Sequence, residues 1–178
     1  MTTAQIVPHK DKTVAFTGYR PDKIAVSSKN PDIENEIRSG LRHATREFYA
    51  RGFRCFLSGM AEGFDLWAAE EVLSLKNSGE LPDIELLAII PFRDQNRFYP
   101  GDAAALYDKI LQNAGEVVIL SEHYYPECFH RRNDWLVDHS SVVICYFDGQ
   151  AGGTKYTVSR ARRQGLPVFN LLDPVMVL

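Results

Sequence analysis

Short apolar runs alternate with stretches of helical period along nearly the whole chain. Thr13–Thr17 (TVAFT) is β-branched and aromatic and stops at Gly18, which predicts a strand. Asn30-Pro31 then supplies an N-cap and a first-turn proline, followed by the acids Asp32, Glu34 and Glu36. Ile33, Ile37, Leu41, Ala44 and Phe48 recur every three or four residues and make one apolar helix face. Gly52 falls where a left-handed C-cap belongs. A second strand is predicted over Phe53–Leu57, ending at Ser58-Gly59, and the Ala- and Leu-rich Leu66–Lys76 reads as helix.

The alternation continues. Ile84–Ile90 is apolar almost throughout, as a strand covered on both faces requires. Asp102 can cap a helix over Ala103–Asn113, Gly115 ends it, and Val117–Leu120 predicts strand four. The polar aromatic segment SEHYYPECF leads to a helix over His130–Asp138, and Val142–Phe147 predicts strand five. Gly152-Gly153-Thr154 opens a helix to Gln164, Gly165 stops it, and Val168–Leu172 predicts strand six. Strands separated by helices imply βαβ units. The expected fold is α/β: a Rossmann-like, doubly wound, mostly parallel sheet flanked by helices. No repeat or linker divides the chain, so one domain over 1–178 is expected, with its core at about 13–172. The irregular Phe92–Gly101 follows a strand end and reads as a site loop.

Composition narrows the function. The chain has 178 residues, 45% hydrophobic and 24% charged, enough to bury a core without a disulfide or metal staple. Its 20 basic residues face 23 acidic ones, a formal net charge of −3, which makes nucleic acid an unexpected partner. Cys55, Cys128 and Cys145 cannot all pair, and Cys55 and Cys145 lie in apolar runs, which points to buried thiols in a reducing compartment. No apolar run nears the roughly 20 residues of a membrane span, and the opening MTTAQIVPHKDK lacks a signal h-region. A soluble, cytoplasmic protein with no membrane partner is the expectation. The histidines His9, His43, His123, His130 and His139 show no metal-ligand spacing, and Cys128 with His130 lacks a C-x-x-C, so no metal is expected.

In an open parallel sheet, ligands bind beyond the carboxyl ends of the strands, and the chemistry sits there. After strand one, Gly18 lets backbone approach a ligand, Tyr19 can flank a ring, and Arg20 can grip a phosphate bidentately. The plain alternative is a turn glycine beside a surface arginine. After strand two, Ser58, Gly59 and Gly63 can form a nest of backbone N–H groups for an anion. The spacing is G-x-x-x-G, not the dinucleotide fingerprint. Asp65 either caps the next helix or accepts from ribose hydroxyls, and Trp67 either stacks on a base or belongs to the core. Glu62 and Asp65 are the candidate catalytic carboxylates.

The third strand end carries Arg93, Asn96, Arg97 and Tyr99, a set able to bind phosphate and sandwich a base, or simply to cover the sheet edge. At the next helix start, Arg132 and Asn133 can close over a phosphate; only one of Arg131 and Arg132 can face a given pocket, and Arg132 is preferred. Gly152, Gly153 and Thr154 form the strongest single signal, a phosphate cradle at a helix N-terminus, with Thr157 as a second hydroxyl and Lys155 as added charge. No Walker A sequence is present, which argues against triphosphatase chemistry.

Taken in order, Gly18-Tyr19-Arg20, the segment SGMAEGFDLW, the pair Arg132-Asn133 and the G-G-T-x-x-T that opens the last helix resemble the SLOG superfamily, nearest its YpsA-like branch, from about Val14 to Leu171. The resemblance implies a Rossmann-like fold with a nucleotide-type ligand at the glycine loops, carried here by Gly59, Gly63, Asp65, Trp67, Gly152, Gly153 and Thr154. The superfamily includes single-stranded-DNA-binding DprA proteins, LOG phosphoribohydrolases and predicted sensors of nucleotide-derived ligands such as ADP-ribose or NAD derivatives. LOG enzymes carry P-G-G-x-G-T-x-x-E with a catalytic glutamate, and this chain has Thr157 at that position. The expected function is regulatory binding of a nucleotide-derived ligand. The alternatives are an N-glycosidic-bond hydrolase and a DprA-like DNA-processing accessory protein. A homodimer is expected on the base rate of C2 assemblies.

Overall fold

The computed structural model describes residues 9–173, so residues 1–8 of the opening segment and residues 174–178 lie outside it. The strands are β1 (Thr13–Gly18), β2 (Cys55–Ser58), β3 (Glu85–Ile90), β4 (Glu116–Ile119), β5 (Val142–Tyr146) and β6 (Val168–Asn170). The helices are α1 (Pro21–Ser27), α2 (Ile33–Ala50), α3 (Phe64–Asn77), α4 (Gly101–Asn113), α5 (Cys128–Asp138) and α6 (Gly153–Arg163). All pairings of these strands are parallel, and the sheet order is β4-β3-β2-β1-β5-β6. This is the doubly wound Rossmann-like arrangement.

Alternation along the strands divides the core in two. Val14 and Phe16 of β1, and Leu86, Ala88 and Ile90 of β3, join the larger cluster with α2, α3 and α4. Ala15, Leu87 and Ile89 join the other, with Leu136 of α5 and Val158 of α6. Burial of one such Phe or Leu side chain is worth about 1.5–3 kcal/mol, so both faces contribute to stability. The continuous apolar strand has this cause: even and odd positions each have a layer to meet.

Several boundaries differ from the sequence expectation. Helix α1 has no counterpart in the sequence pattern, because it has a single buried residue, Ile24, and so no legible period. Strand β2 begins at Cys55 instead of Phe53. Phe53 belongs to the end of α2, where its N–H donates to Phe48 O, Gly52 N–H donates to Tyr49 O, and the Phe48 and Phe53 rings meet edge to face. Gly63, not Asp65, occupies the N-cap of α3. Pro100 replaces Asp102 as N-cap of α4, and Asp32 precedes α2 while Asn30 accepts the Asp32 N–H just ahead of the helix. Helix α5 begins at Cys128, ahead of His130. Strand β6 stops at Asn170, whose side chain exchanges hydrogen bonds with the Phe147 backbone.

Candidate functional site

From β1 the chain moves outward through β2, β3 and β4, then returns to the other side of β1 for β5 and β6. The connections after β1 and β5 therefore diverge, and a crevice opens between their carboxyl ends. A cleft of about 380 Å³ lies there, lined by Gly18 at the end of β1 and Tyr19 and Arg20 after it, Asp65 of α3, Arg132 and Asn133 of α5, and Gly153-Thr154 of α6. Four separate sequence signals converge on one place.

Arg132 dominates the cleft. It is 5% exposed, and burial pulls its pKa down, opposed mainly by the field of Asp65. Its Nε donates to Asn133 Oδ1 at 2.8 Å, and its Nη1 donates to Gly59 O. A Cβ on Gly59 would lie 2.8 Å from Arg132 Cδ, so that glycine makes room for the guanidinium. Arg131 points elsewhere, toward Leu120 O.

Asp65 is also 5% exposed, and it forms no ion pair within 4 Å among the described residues. One carboxylate oxygen accepts the Ala61 N–H at 3.4 Å; the other, Oδ1, has no partner among the described residues. Burial raises its pKa to about 6 against the opposing pull of Arg132. A carboxyl that burial lifts above its ordinary range beside a cationic group is the sort of perturbed acid that functional clefts hold.

The neighbouring loop is strained. Met60 has φ 61°, left-handed for a non-glycine residue, yet it is fully buried. Ser58 Oγ accepts its N–H and donates to Asp65 O, while Tyr99 OH donates to Met60 O at 2.9 Å. Gly63, at φ 90°, has Tyr19 O 2.8 Å from where a Cβ would stand, so it packs the two loops together. Ser58, Gly59 and Gly63 thus shape the cleft wall through packing.

At the α6 end, Gly152 sits at φ 141° and the helix has no side-chain cap, so its first-turn amides lack a side-chain acceptor where Gly153 and Thr154 line the cleft. Thr154 lines the cleft, but Thr157 is fully buried and its Oγ donates back to Gly153 O at 2.9 Å. Lys155 is exposed and outside the cleft lining, and Arg93 pairs bidentately with Glu122 at 2.7 and 2.9 Å. Tyr19 lines the cleft yet is only 2% exposed; its OH donates to Asp148 at 2.5 Å, and the hydrogen bonds from Ser27 and then Tyr19 hold the Asp148 carboxyl well below the usual carboxylate range. Trp67 lies under the Arg38 guanidinium against α2, away from the cleft. Glu62 lines a second, adjoining pocket.

Lys23, Phe129 and His130 line the cleft too. Lys23 stands on α1, the helix that carries no period. Phe129 has a sequence signal, since positions 129, 132 and 133 share one helical face. His130 lies flat on Tyr156 with ring centroids 4.5 Å apart. Among the described residues no cluster of His, Cys, Asp and Glu is suited to a metal ion, and no helix is long and apolar enough to cross a membrane.

The fold and cleft define a doubly wound α/β protein whose switch-point crevice combines a helix N-terminus, a buried guanidinium and a carboxylate oxygen with no partner among the described residues. The sequence profile of the YspA SLOG family matches residues 14–166, and the chain belongs to that family. It is 29% identical over 158 residues to a UPF0398 protein of Bacillus thuringiensis (strain Al Hakam), covering 86% of this chain and 84% of that one. The fold is similar to DNA processing protein A from Helicobacter pylori, which binds single-stranded DNA (TM-score 0.61, 22% identity, 92% of this chain and 66% of that chain). It is also similar to DNA processing protein A from Streptococcus pneumoniae (TM-score 0.56, 26% identity, 90% of this chain and 50% of that chain). The chain thus spans half to about two thirds of those proteins. Their likeness lends no support to the expectation that nucleic acid is not a partner.

Proposed function

We propose that this protein binds a small nucleotide-derived anion, a nucleoside phosphate or an ADP-ribose-like compound, in the switch-point cleft and acts as a regulatory ligand-binding domain. The observation that carries the reading is the buried Arg132 guanidinium facing the same cleft as the uncapped N-terminus of α6. Phosphate oxygens match both donors, through charge-assisted bonds and through free amides aligned with the helix dipole. Arg20, exposed at the rim, adds a second charge. Asp65 Oδ1, which has no protein partner among the described residues, suits a ribose hydroxyl.

Isothermal titration with AMP and ADP-ribose tests this. A Cβ on Gly153 would meet only Asn133 Nδ2, at 3.6 Å, so Gly153→Leu fills the cradle without a backbone clash. The expected result is lost binding with a folded variant; unchanged affinity refutes the cradle, and no binding by the parent protein refutes the whole reading.

A second reading is favoured by the pKa of Asp65, about 6, which suits general acid or base work on an N-glycosidic bond. Thr157 stands where LOG enzymes carry glutamate, so Asp65 would act without that partner. Free base released from AMP or ADP-ribose, and lost in Asp65→Asn, supports hydrolysis. Salt-sensitive retention on single-stranded DNA would instead favour a DprA-like role.

A further inference from the structure

Next to the switch-point cleft lies a second pocket of about 420 Å³, and the two share Arg20 and Phe129. Its walls come from two loops, one following β3 (Phe92, Phe98, Tyr99) and one following β4 (Tyr124). Phe92, Tyr124 and Phe129 form an edge-to-face cluster, with centroids 5.5 Å apart for Phe92–Tyr124 and 5.9 Å for Phe92–Phe129. Tyr99 is tied to Met60 O, which anchors this pocket to the strained loop of the first. Phe98 is 84% exposed and Tyr124 62% exposed. Large rings held this far out of the core, around a concavity, mark a binding surface more than a packing one.

The aromatic groups of the first cleft are committed. Tyr19 is buried and bonded to Asp148, His130 lies on Tyr156, and Phe129 carries Arg20 and Arg132 over its ring, while Trp67 stands outside this cleft beneath Arg38. Exposed ring surface is thus concentrated in the second pocket, where the Arg97 guanidinium covers one face of Phe98 at 4.7 Å from its centroid and leaves the other, and Arg20 stands between the two pockets, 5.9 Å from the Phe129 centroid. We propose that the aromatic pocket is the base subsite. A nucleotide places its phosphate at Gly153 and Arg132, passes its ribose by Asp65 and Arg20, and lays its heterocycle between the rings of Phe98 and Tyr124. This deepens the function proposed above and rests on it.

The test compares AMP with ribose 5-phosphate, which keeps the sugar and phosphate and lacks the ring. AMP is expected to bind about tenfold more tightly, the scale of one aromatic stacking contact. Phe98→Ala and Tyr124→Ala, both at exposed positions, are expected to remove most of that advantage and leave ribose 5-phosphate affinity unchanged. If both ligands bind but their affinity ratio is the same in the parent and the two variants, the base lies elsewhere and the inference fails alone. If neither ligand binds the parent protein, the inference and the proposed function fall together.

Discussion

Asp65→Asn offers the sharpest check on the electrostatics of the cleft. Folding moves the Asp65 carboxyl from 3.8 to about 6, because removal of water penalises the carboxylate more than Arg132, Arg20 and the nearby amides favour it. A raised acid pKa means that the folded state holds the proton more tightly than the unfolded state. Its contribution is fully present below pH 3.8 and is lost as pH rises to about 6. At about 1.4 kcal/mol per unit, the full loss is about 3 kcal/mol, of which about 2 kcal/mol falls between pH 4.5 and 7.5. Urea unfolding of the parent and of Asp65→Asn at both pH values isolates this one group. The pH-dependent loss is expected to be about 2 kcal/mol smaller in the variant. Equal pH dependence in the two proteins would refute the claim that this carboxyl is desolvated.

Packing and burial yield two more tests. Gly18→Ala places a Cβ 2.3 Å from the ring of Phe64, a fully buried core residue. That variant should lose at least the roughly 1–3 kcal/mol typical of overpacking and melt at a lower temperature in a thermal scan. Burial pushes the Cys55 thiol up to about 11 and the Cys145 thiol up to about 12, so neither should react with iodoacetamide at pH 8 until denaturant is added, as peptide mass mapping would show.

The elements of this fold are legible because most are long enough to carry a period. The face of α2, at Ile37, Leu41, Ala44 and Phe48, is buried as its spacing implies. The failures share a cause in short or hidden elements: α1 buries one residue, and Phe53 reads as strand but closes a helix. At the site, residue type is a better guide than side-chain direction. Trp67 stands two residues after Asp65, about 200° around α3, so when Asp65 faces the cleft Trp67 must turn toward α2. Thr157 shares a face with Thr154, but one turn deeper its hydroxyl has no ligand to reach and bonds to Gly153 O. Arg93 and Arg132 are both basic residues on the strand-end side of the sheet, yet one is neutralised by Glu122 and the other is buried facing the cleft.

Local pattern is enough to specify the alternation of strands and helices, the doubly wound class and the glycine-bearing loops. These depend on local period, turn chemistry and neighbour spacing, all of which are written within a few residues of one another. That β5 lies beside β1, and therefore that Arg20, Asp65, Arg132 and Gly153 share one cleft while the rings of Phe98 and Tyr124 stand in the next, emerges only in the folded chain. Strand order is a matter of long-range pairing. It brings together groups more than a hundred residues apart, for which no local pattern carries the information.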